Sequence, residues 1–229
     1  MIFGGFQKLT LLDFPGRVAC TLFTKGCNFR CPFCHNALLV TDMDEMSYTD
    51  TEILDYLEKR TGILDGVCIT GGEPLMQPGL EEFIKKVKTL GYAVKLDTNG
   101  SYPNKLKDLV NKGLIDYVAM DIKNTMGKYP LTAGIDERLI PAVEESIDFL
   151  LSGAVPYEFR TTVVAEHHNI SDIEQIAKRI SGAERYFLQK FVDSGHLIGE
   201  NLHEVDENTM KNMLEKAKKY VKTAELRGI

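Results

Sequence analysis

The sequence predicts an α/β fold of parallel strands, either a partly open barrel or a doubly wound sheet, and three observations carry it. Short runs rich in β-branched and apolar residues alternate six times with stretches of helical period, the order that implies a parallel sheet with helices outside it. Each polar motif falls at or just after the end of one of those runs, where both architectures keep their functional residues. The chain has 229 residues, 44% of them hydrophobic and 26% charged, which suits one unit with a large core.

Taken in order, residues 17–24 read as the first buried strand, introduced by the turn Asp13-Phe14-Pro15-Gly16. Residues 1–16 then form a leader. Thr49 and Glu52 make a capping box that opens a helix through about Lys59. Residues 66–70 are a second strand running into Gly71-Gly72-Glu73-Pro74. Leu80, Phe83, Ile84, Val87 and Leu90 recur at helical spacing, and Gly91 ends that helix. Residues 93–96 are a strand followed by Asp97-Thr98-Asn99-Gly100, and Leu106, Leu109 and Val110 mark the next helix. Residues 117–122 form a strand carrying Asp121, with Lys123 next, and 124–134 a loop. Asp136 caps a helix through Leu151; Pro141 moves its true start toward Leu139, since proline belongs in a first turn. Residues 157–164 are a strand, Ser171 and Glu174 a second capping box, and residues 185–191 the sixth strand. Met210, Met213, Leu214, Ala217, Val221 and Ala224 form one stripe on a final helix, read as packing. The expected organisation is a single domain over 1–229: leader, six-strand core over 17–192, and a C-terminal loop and helix over 193–229.

Composition excludes several functions. A net charge of −6 argues against a nucleic-acid surface. No apolar run reaches about 18 residues, and the first residues lack a signal-peptide layout, so no membrane span and a cytoplasmic location are expected. Five cysteines, an odd count, fit a reducing compartment and a metal site rather than a disulfide framework.

Three of those cysteines, Cys27, Cys31 and Cys34, fall within eight residues on the loop that leaves the first strand. Thiolates are strong ligands for iron and zinc. A closed zinc site wants four protein ligands and a ferredoxin-type cluster four cysteines. Cys20 and Cys68 lie in strands, where they fit a core. One reading is a zinc site completed by His35, with the awkwardness that adjacent ligands point apart. The other is a cluster with one iron open, as a catalytic metal site requires.

Cys-x3-Cys-x2-Cys with Phe33 before its last cysteine resembles the signature of the radical S-adenosylmethionine (SAM) superfamily, and Gly71-Gly72-Glu73-Pro74 resembles its second motif. The longer strings from Lys25 to Asn36, Asp97-Thr98-Asn99-Gly100 and Asp121-Ile122-Lys123 resemble the glycyl-radical-enzyme activating branch. The leader Leu11-Leu12-Asp13-Phe14-Pro15-Gly16 and the length look most like the activating proteins of anaerobic ribonucleoside-triphosphate reductase.

The resemblance implies a partial (β/α)6 barrel, a [4Fe-4S] cluster on Cys27, Cys31 and Cys34, and SAM on the open iron. One electron then splits SAM, and the resulting 5′-deoxyadenosyl radical takes hydrogen from a glycine of a partner enzyme. It further implies that Gly71 and Gly72 let backbone carbonyls approach the SAM amino group, that Glu73 holds their turn, and that Phe33 and His35 lie beside the adenine. Lys123 and Arg160 would meet the SAM carboxylate. Asp97 and Asp121, with Thr98 and Asn99 beside them, would steer the ammonium or sulfonium or share a monovalent cation. Pyruvate formate-lyase activators place a histidine near the end of the sixth strand; here His196 comes too late, and Gln189 or Lys190 stands in its place. No cysteine falls between Asn36 and Gly66, so a flavodoxin or ferredoxin is expected to supply the electron.

Each motif has a plainer reading. Gly-Gly-Glu-Pro and Asp-Thr-Asn-Gly are turns in their own right, the second with a helix cap. Asp121 and Lys123 would make a solvated pair, Arg160 a buried ion-pair member, and His167 and His168 surface loop residues. Three functions therefore stand: a radical SAM activase for the reductase, a radical SAM enzyme acting on another glycyl-radical enzyme or a small molecule, and a non-catalytic zinc- or cluster-binding module.

Overall fold

The structure, a computed structural model, describes residues 1–41 and 47–228. Its strands are β1 (Ile2–Thr10), β2 (Ala19–Thr24), β3 (Tyr48–Thr49), β4 (Gly66–Gly71), β5 (Ala93–Thr98), β6 (Tyr117–Asp121), β7 (Tyr157–Val163), β8 (Tyr186–Lys190) and β9 (Ala224–Arg227). Its helices are α1 (Leu38–Thr41), α2 (Asp50–Glu58), α3 (Leu80–Thr89), α4 (Pro103–Asn111), α5 (Tyr129–Ala133), α6 (Ile140–Leu151), α7 (Ile170–Arg179) and α8 (Glu207–Ala217).

All strands join one sheet in the order β3, β1, β2, β4, β5, β6, β7, β8, β9. From β2 to β9 neighbouring strands are parallel, whereas β1 runs antiparallel to β2 and β3. The sheet does not close: β3 and β9 are its two edges. This is the partial barrel of parallel strands that the sequence predicts, with a seventh parallel strand and an antiparallel flap added.

Alternation along each strand separates two environments. One face turns Leu22, Ile69, Leu96, Val118, Phe159 and Leu188 into a core shared with the helices. The other face is concave and polar. Register sets Cys68, Lys95 and Tyr117 side by side on it, then Asp97, Ala119 and Glu158, then Asp121, Arg160 and Phe187. Phe14, Ala19, Ala93 and Tyr117 plug this face at the amino ends of the parallel strands, which leaves the carboxyl ends open.

The capping box of Thr49 and Glu52 forms, with Glu52 N–H donating to Thr49 Oγ1 at 3.2 Å and Thr49 N–H to Glu52 Oε2 at 2.8 Å. α6 starts at Ile140 with Pro141 in its first turn, after a 3-10 turn over Glu137–Leu139 capped by Asp136. Five local expectations are corrected. The leader contains β1, whose Gly4 and Gly5 depress strand propensity. Neighbours approach both closely: a Cβ on Gly4 would stand 2.6 Å from Leu39 Cδ2 and one on Gly5 3.2 Å from Phe23 Cδ2. The loop over 124–134 contains the short helix α5. The cap of α7 is Asn169 with Asp172, not Ser171 with Glu174. α8 ends at Ala217; Val221 lies in a bend and Ala224 opens β9. His168 is 5% exposed, not a surface residue.

Candidate functional site

The cysteine loop leaves β2 at the carboxyl edge of the sheet and is held on several sides by backbone. Gly26 N–H donates to Leu39 O (2.7 Å), Arg30 N–H to Ala133 O (3.0 Å) and Gly199 N–H to Pro32 O (2.8 Å). Glu73 N–H reaches back to Gly26 O at 2.9 Å. These bonds tie the loop to α1, α5, the segment after β8 and the turn after β4. Cys27, Cys31 and Cys34 thereby face one cavity of about 510 Å³. Burial pushes all three thiols up, Cys31 to about 12, while the nearby Lys123 ammonium pulls the other way. Metal binding must therefore release protons from these sulfurs.

Every candidate named from the sequence lines that cavity except Glu73. The exception is informative. Glu73 is fully buried. Its Oε1 accepts from Leu75 N–H (3.0 Å) and Thr98 Oγ1–H (2.9 Å), and its Oε2 from Asn99 N–H (2.8 Å). It thus pins the turn after β4 to the turn after β5. Burial raises it to about 7 against those three donated bonds. Thr98 and Asn99 owe their places to this anchor; Asn99 Nδ2 then donates to Asn28 Oδ1 at 3.1 Å and stands 3.7 Å from Cys27 Sγ.

The two glycines before Glu73 also answer a packing need within the chain. A Cβ on Gly71 would sit 2.4 Å from Thr24 N, and one on Gly72 would sit 1.9 Å from Gly26 O. Gly71 also has φ +105°. Their bare backbones let the β2 end and the cysteine loop approach. The Gly71 carbonyl, in turn, accepts from Asn36 Nδ2 at 3.3 Å.

Across the cavity lies a chain of alternating charges. Lys95 Nζ contacts Asp97 Oδ1. Arg160 Nη1 donates to Asp97 Oδ2 (2.9 Å) and its Nε to Asp121 Oδ1 (2.9 Å). Lys123 Nζ donates to Asp121 Oδ2 at 3.0 Å. Arg160 reaches two strands over because Ala119, between Asp97 and Glu158 in register, offers only a methyl group. Burial works against both aspartate ions, but the Arg160 charge with Lys95 or Lys123 outweighs it. Asp97 is held below its usual range and Asp121 at about 2. Asp121 and Lys123 are therefore members of a half-buried network rather than a solvated pair. The place between Asp97 and Asp121 suggested for a monovalent cation is filled by the Arg160 guanidinium.

The remaining candidates divide by exposure. Phe33 is 4% exposed, its ring 5.7 Å from that of His167 and 6.3 Å from that of His168, whereas His35 is exposed at the cavity rim. His168 acts indirectly: its Nδ1 takes the Val164 N–H at 3.1 Å and its Nε2 meets Lys123 O at 2.7 Å. That leaves Nε2–H as the donor and fixes the backbone of Lys123. Gln189 and Lys190 line the cavity and His196 does not; Lys190 pairs with Glu204 at 2.9 Å. Lys95, Asn28 and Asn36 were not singled out from the sequence. A lysine inside the apolar run Ala93-Val94-Lys95-Leu96 was the available signal for the first.

Comparison with known proteins settles the family. The radical SAM superfamily profile matches residues 21–180. The chain belongs to the radical SAM superfamily. A Methanocaldococcus jannaschii protein that carries the name of a glycyl-radical enzyme activating enzyme is 32% identical over 98% of this chain and 95% of its own. The pyruvate formate-lyase-activating enzyme of Clostridium pasteurianum is 25% identical over 86% of this chain and 83% of its own. The solved structure of Streptococcus suis SuiB bound to SAM superposes with a TM-score of 0.71 at 12% identity, over 90% of this chain and 49% of that one, so this chain spans about half its length.

This radical SAM enzyme uses a [4Fe-4S] cluster and SAM, and its donor set suits them. Three thiols share the cavity wall, and no fourth cysteine does. Cys20 and Cys68 are buried in β2 and β4 and do not line it. Among the described residues, no three His, Cys, Asp or Glu side chains are grouped as a single-ion site needs. The family sets aside the non-catalytic zinc module.

Proposed function

We propose that this enzyme activates a glycyl-radical enzyme, by the leader resemblance the anaerobic ribonucleoside-triphosphate reductase, through hydrogen removal from a backbone glycine. When bound and reduced by a flavodoxin or ferredoxin, the cluster supplies the electron that cleaves SAM and so provides the hydrogen-abstracting radical. The chain's own residues bind and orient. Cys27, Cys31 and Cys34 would hold the cluster. The turn over Gly71 and Gly72, fixed by Asn36 and Glu73, presents carbonyls to the SAM amino group. Arg160 has five N–H donors, two of which go to the aspartates; it and Lys123 face the SAM carboxylate. Phe33 gives the adenine a flat apolar wall.

One observation favours a protein substrate over a phosphorylated small molecule. Beyond the charge chain the cavity wall carries Gln7, Asp13, Thr21, Thr70, Thr162 and Gln189. Such groups suit hydrogen bonds to a peptide backbone. A triphosphate needs uncompensated cations, yet Arg160, Lys123 and Lys190, which line the cavity, each already meets a carboxylate. The relatives named as activating enzymes support the same reading. Among the described residues no helix is long and apolar enough to cross a membrane.

The test is anaerobic. Cluster-loaded enzyme, SAM, reductant and the reductase are mixed, and the sample is examined by EPR. A glycyl doublet on the reductase is expected. SAM cleavage without a doublet on an intact reductase would sink the proposed target while leaving the family untouched.

A further inference from the structure

Asp97 and Asp121 line the cavity, and each of their four carboxylate oxygens has one cationic partner. Asp97 Oδ1 has Lys95, Asp97 Oδ2 and Asp121 Oδ1 have Arg160, and Asp121 Oδ2 has Lys123. Lys95 differs from the other two cations. It does not line the cavity, its side chain is 2% exposed, and its remaining polar neighbour is Cys68 Sγ at 3.8 Å. A lysine so buried is costly unless it is paired. Burial does pull its ammonium toward the neutral form, and Asp97 more than restores the charge. Its position is geometric: it stands on the inner face of β5, two residues before Asp97, between Cys68 and Tyr117 in register.

We propose that Lys95 is a positioning residue that serves as a built-in cation: its ammonium compensates the Asp97 oxygen that Arg160 leaves unpaired, so that SAM binding in this enzyme needs no monovalent cation at that carboxylate. Lys95 fixes one oxygen of Asp97, Asp97 aims Arg160 through the other, and Arg160 with Lys123 fixes Asp121. Charge alternates along the five groups and leaves one positive charge in excess, at the end where the thiols gather. Losing Lys95 leaves Asp97 Oδ1 buried beside a space of ammonium size, with only the Cys68 thiol at 3.8 Å. A small cation added from solution fills such a vacancy; a bulky one does not.

The inference rests on assigning this charged face to SAM. The dissociation constant of SAM is measured on cluster-loaded protein in choline chloride, NaCl and KCl at equal ionic strength. Native protein should bind equally in all three. Lys95→Met and Lys95→Gln should bind about tenfold or more weakly in choline, the size of one lost charge-assisted bond, and recover most of the loss in NaCl or KCl. The thermal midpoint of the cluster-free variants should rise with the same two salts. A cation requirement in native protein overturns the inference, as do variants equally weak in every salt or as tight as native in choline. Variants unfolded in all three salts also overturn it, because no ion then replaces the ammonium. Arg160→Ala is the reference. Weak binding there alongside unaffected Lys95 variants strikes Lys95 alone; unaffected binding there strikes the assignment of the face.

Discussion

Glu73 sets two opposed effects against each other, and Glu73→Gln measures which one wins. Three donated bonds favour the carboxylate, each charge-assisted bond contributing about 1.5–3 kcal/mol. Complete burial between two turns opposes it, and removing an ion from water costs several kcal/mol. Burial prevails in the structure, taking the carboxyl from 4.5 to about 7. A raised folded pKa means that the group's stabilising contribution is complete below about pH 4.5 and is lost as pH rises through about 7. At about 1.4 kcal/mol per pKa unit, the loss between pH 5 and pH 8 is about 2–3 kcal/mol. Glutamine has nearly the same volume and no titration. Its amide must also turn its NH2 toward a donor, either Asn99 N–H or Leu75 N–H, which lowers stability equally at every pH. Urea denaturation of both proteins without oxygen, at pH 5, 6, 7 and 8, isolates the titrating part as the difference between them. The variant should gain about 2–3 kcal/mol on the native protein across that range. A difference that stays level, or that grows against the variant as pH rises, would show that the three bonds keep Glu73 ionised and that the burial argument is wrong.

Further outcomes follow from the same contacts. Cys27→Ala, Cys31→Ala and Cys34→Ala should each lose iron on reconstitution and SAM cleavage with it, whereas Cys20→Ala and Cys68→Ala should keep both; iron analysis and 5′-deoxyadenosine yield decide. Gly72→Ala places a methyl carbon 1.9 Å from a backbone oxygen. It should cost about 3 kcal/mol or more in urea denaturation, and a milder loss would mean that the loop yields. Arg160→Met leaves two aspartates without their shared cation and should destabilise by about 3–5 kcal/mol. Asp121, held at about 2, stabilises above pH 3.8 and loses that contribution as pH falls through its folded value. Without Arg160 that value rises, so acid unfolding of the variant should begin at higher pH.

How much of this was legible in the sequence depends on the range of the interaction that decides it. Period two and helical spacing are local, and they located six strands and the packing helices to within a few residues. They also put the three cysteines, Asp97 and Asp121 at strand ends on one rim. β1 escaped because residues 1–16 read together as a leader and Gly4 and Gly5 lower strand propensity, although Leu39 and Phe23 approach them closely. β9 escaped because Val221 and Ala224 continue the apolar spacing of α8 past its end. The glycines of Gly-Gly-Glu-Pro were found, but a second demand on them, the close approach of Thr24 and Gly26 of this chain, is one that only packing reveals.

Lys95 shows where local reading stops. Period two already places it on the same face as Asp97, and a lysine amid Val94 and Leu96 is an anomaly visible without coordinates. What cannot be read locally is that Arg160, 63 residues away, completes Asp97 from two strands over. That reach depends on Ala119 standing in register between them. A longer side chain there would block the guanidinium and leave Asp97 with Lys95 alone, a pair able to hold itself but unable to orient Arg160. The functional property, a carboxylate whose two oxygens are both committed, therefore belongs to the register of three strands. A lysine at this position implies the same device only where the residue on the intervening strand is as small as Ala119.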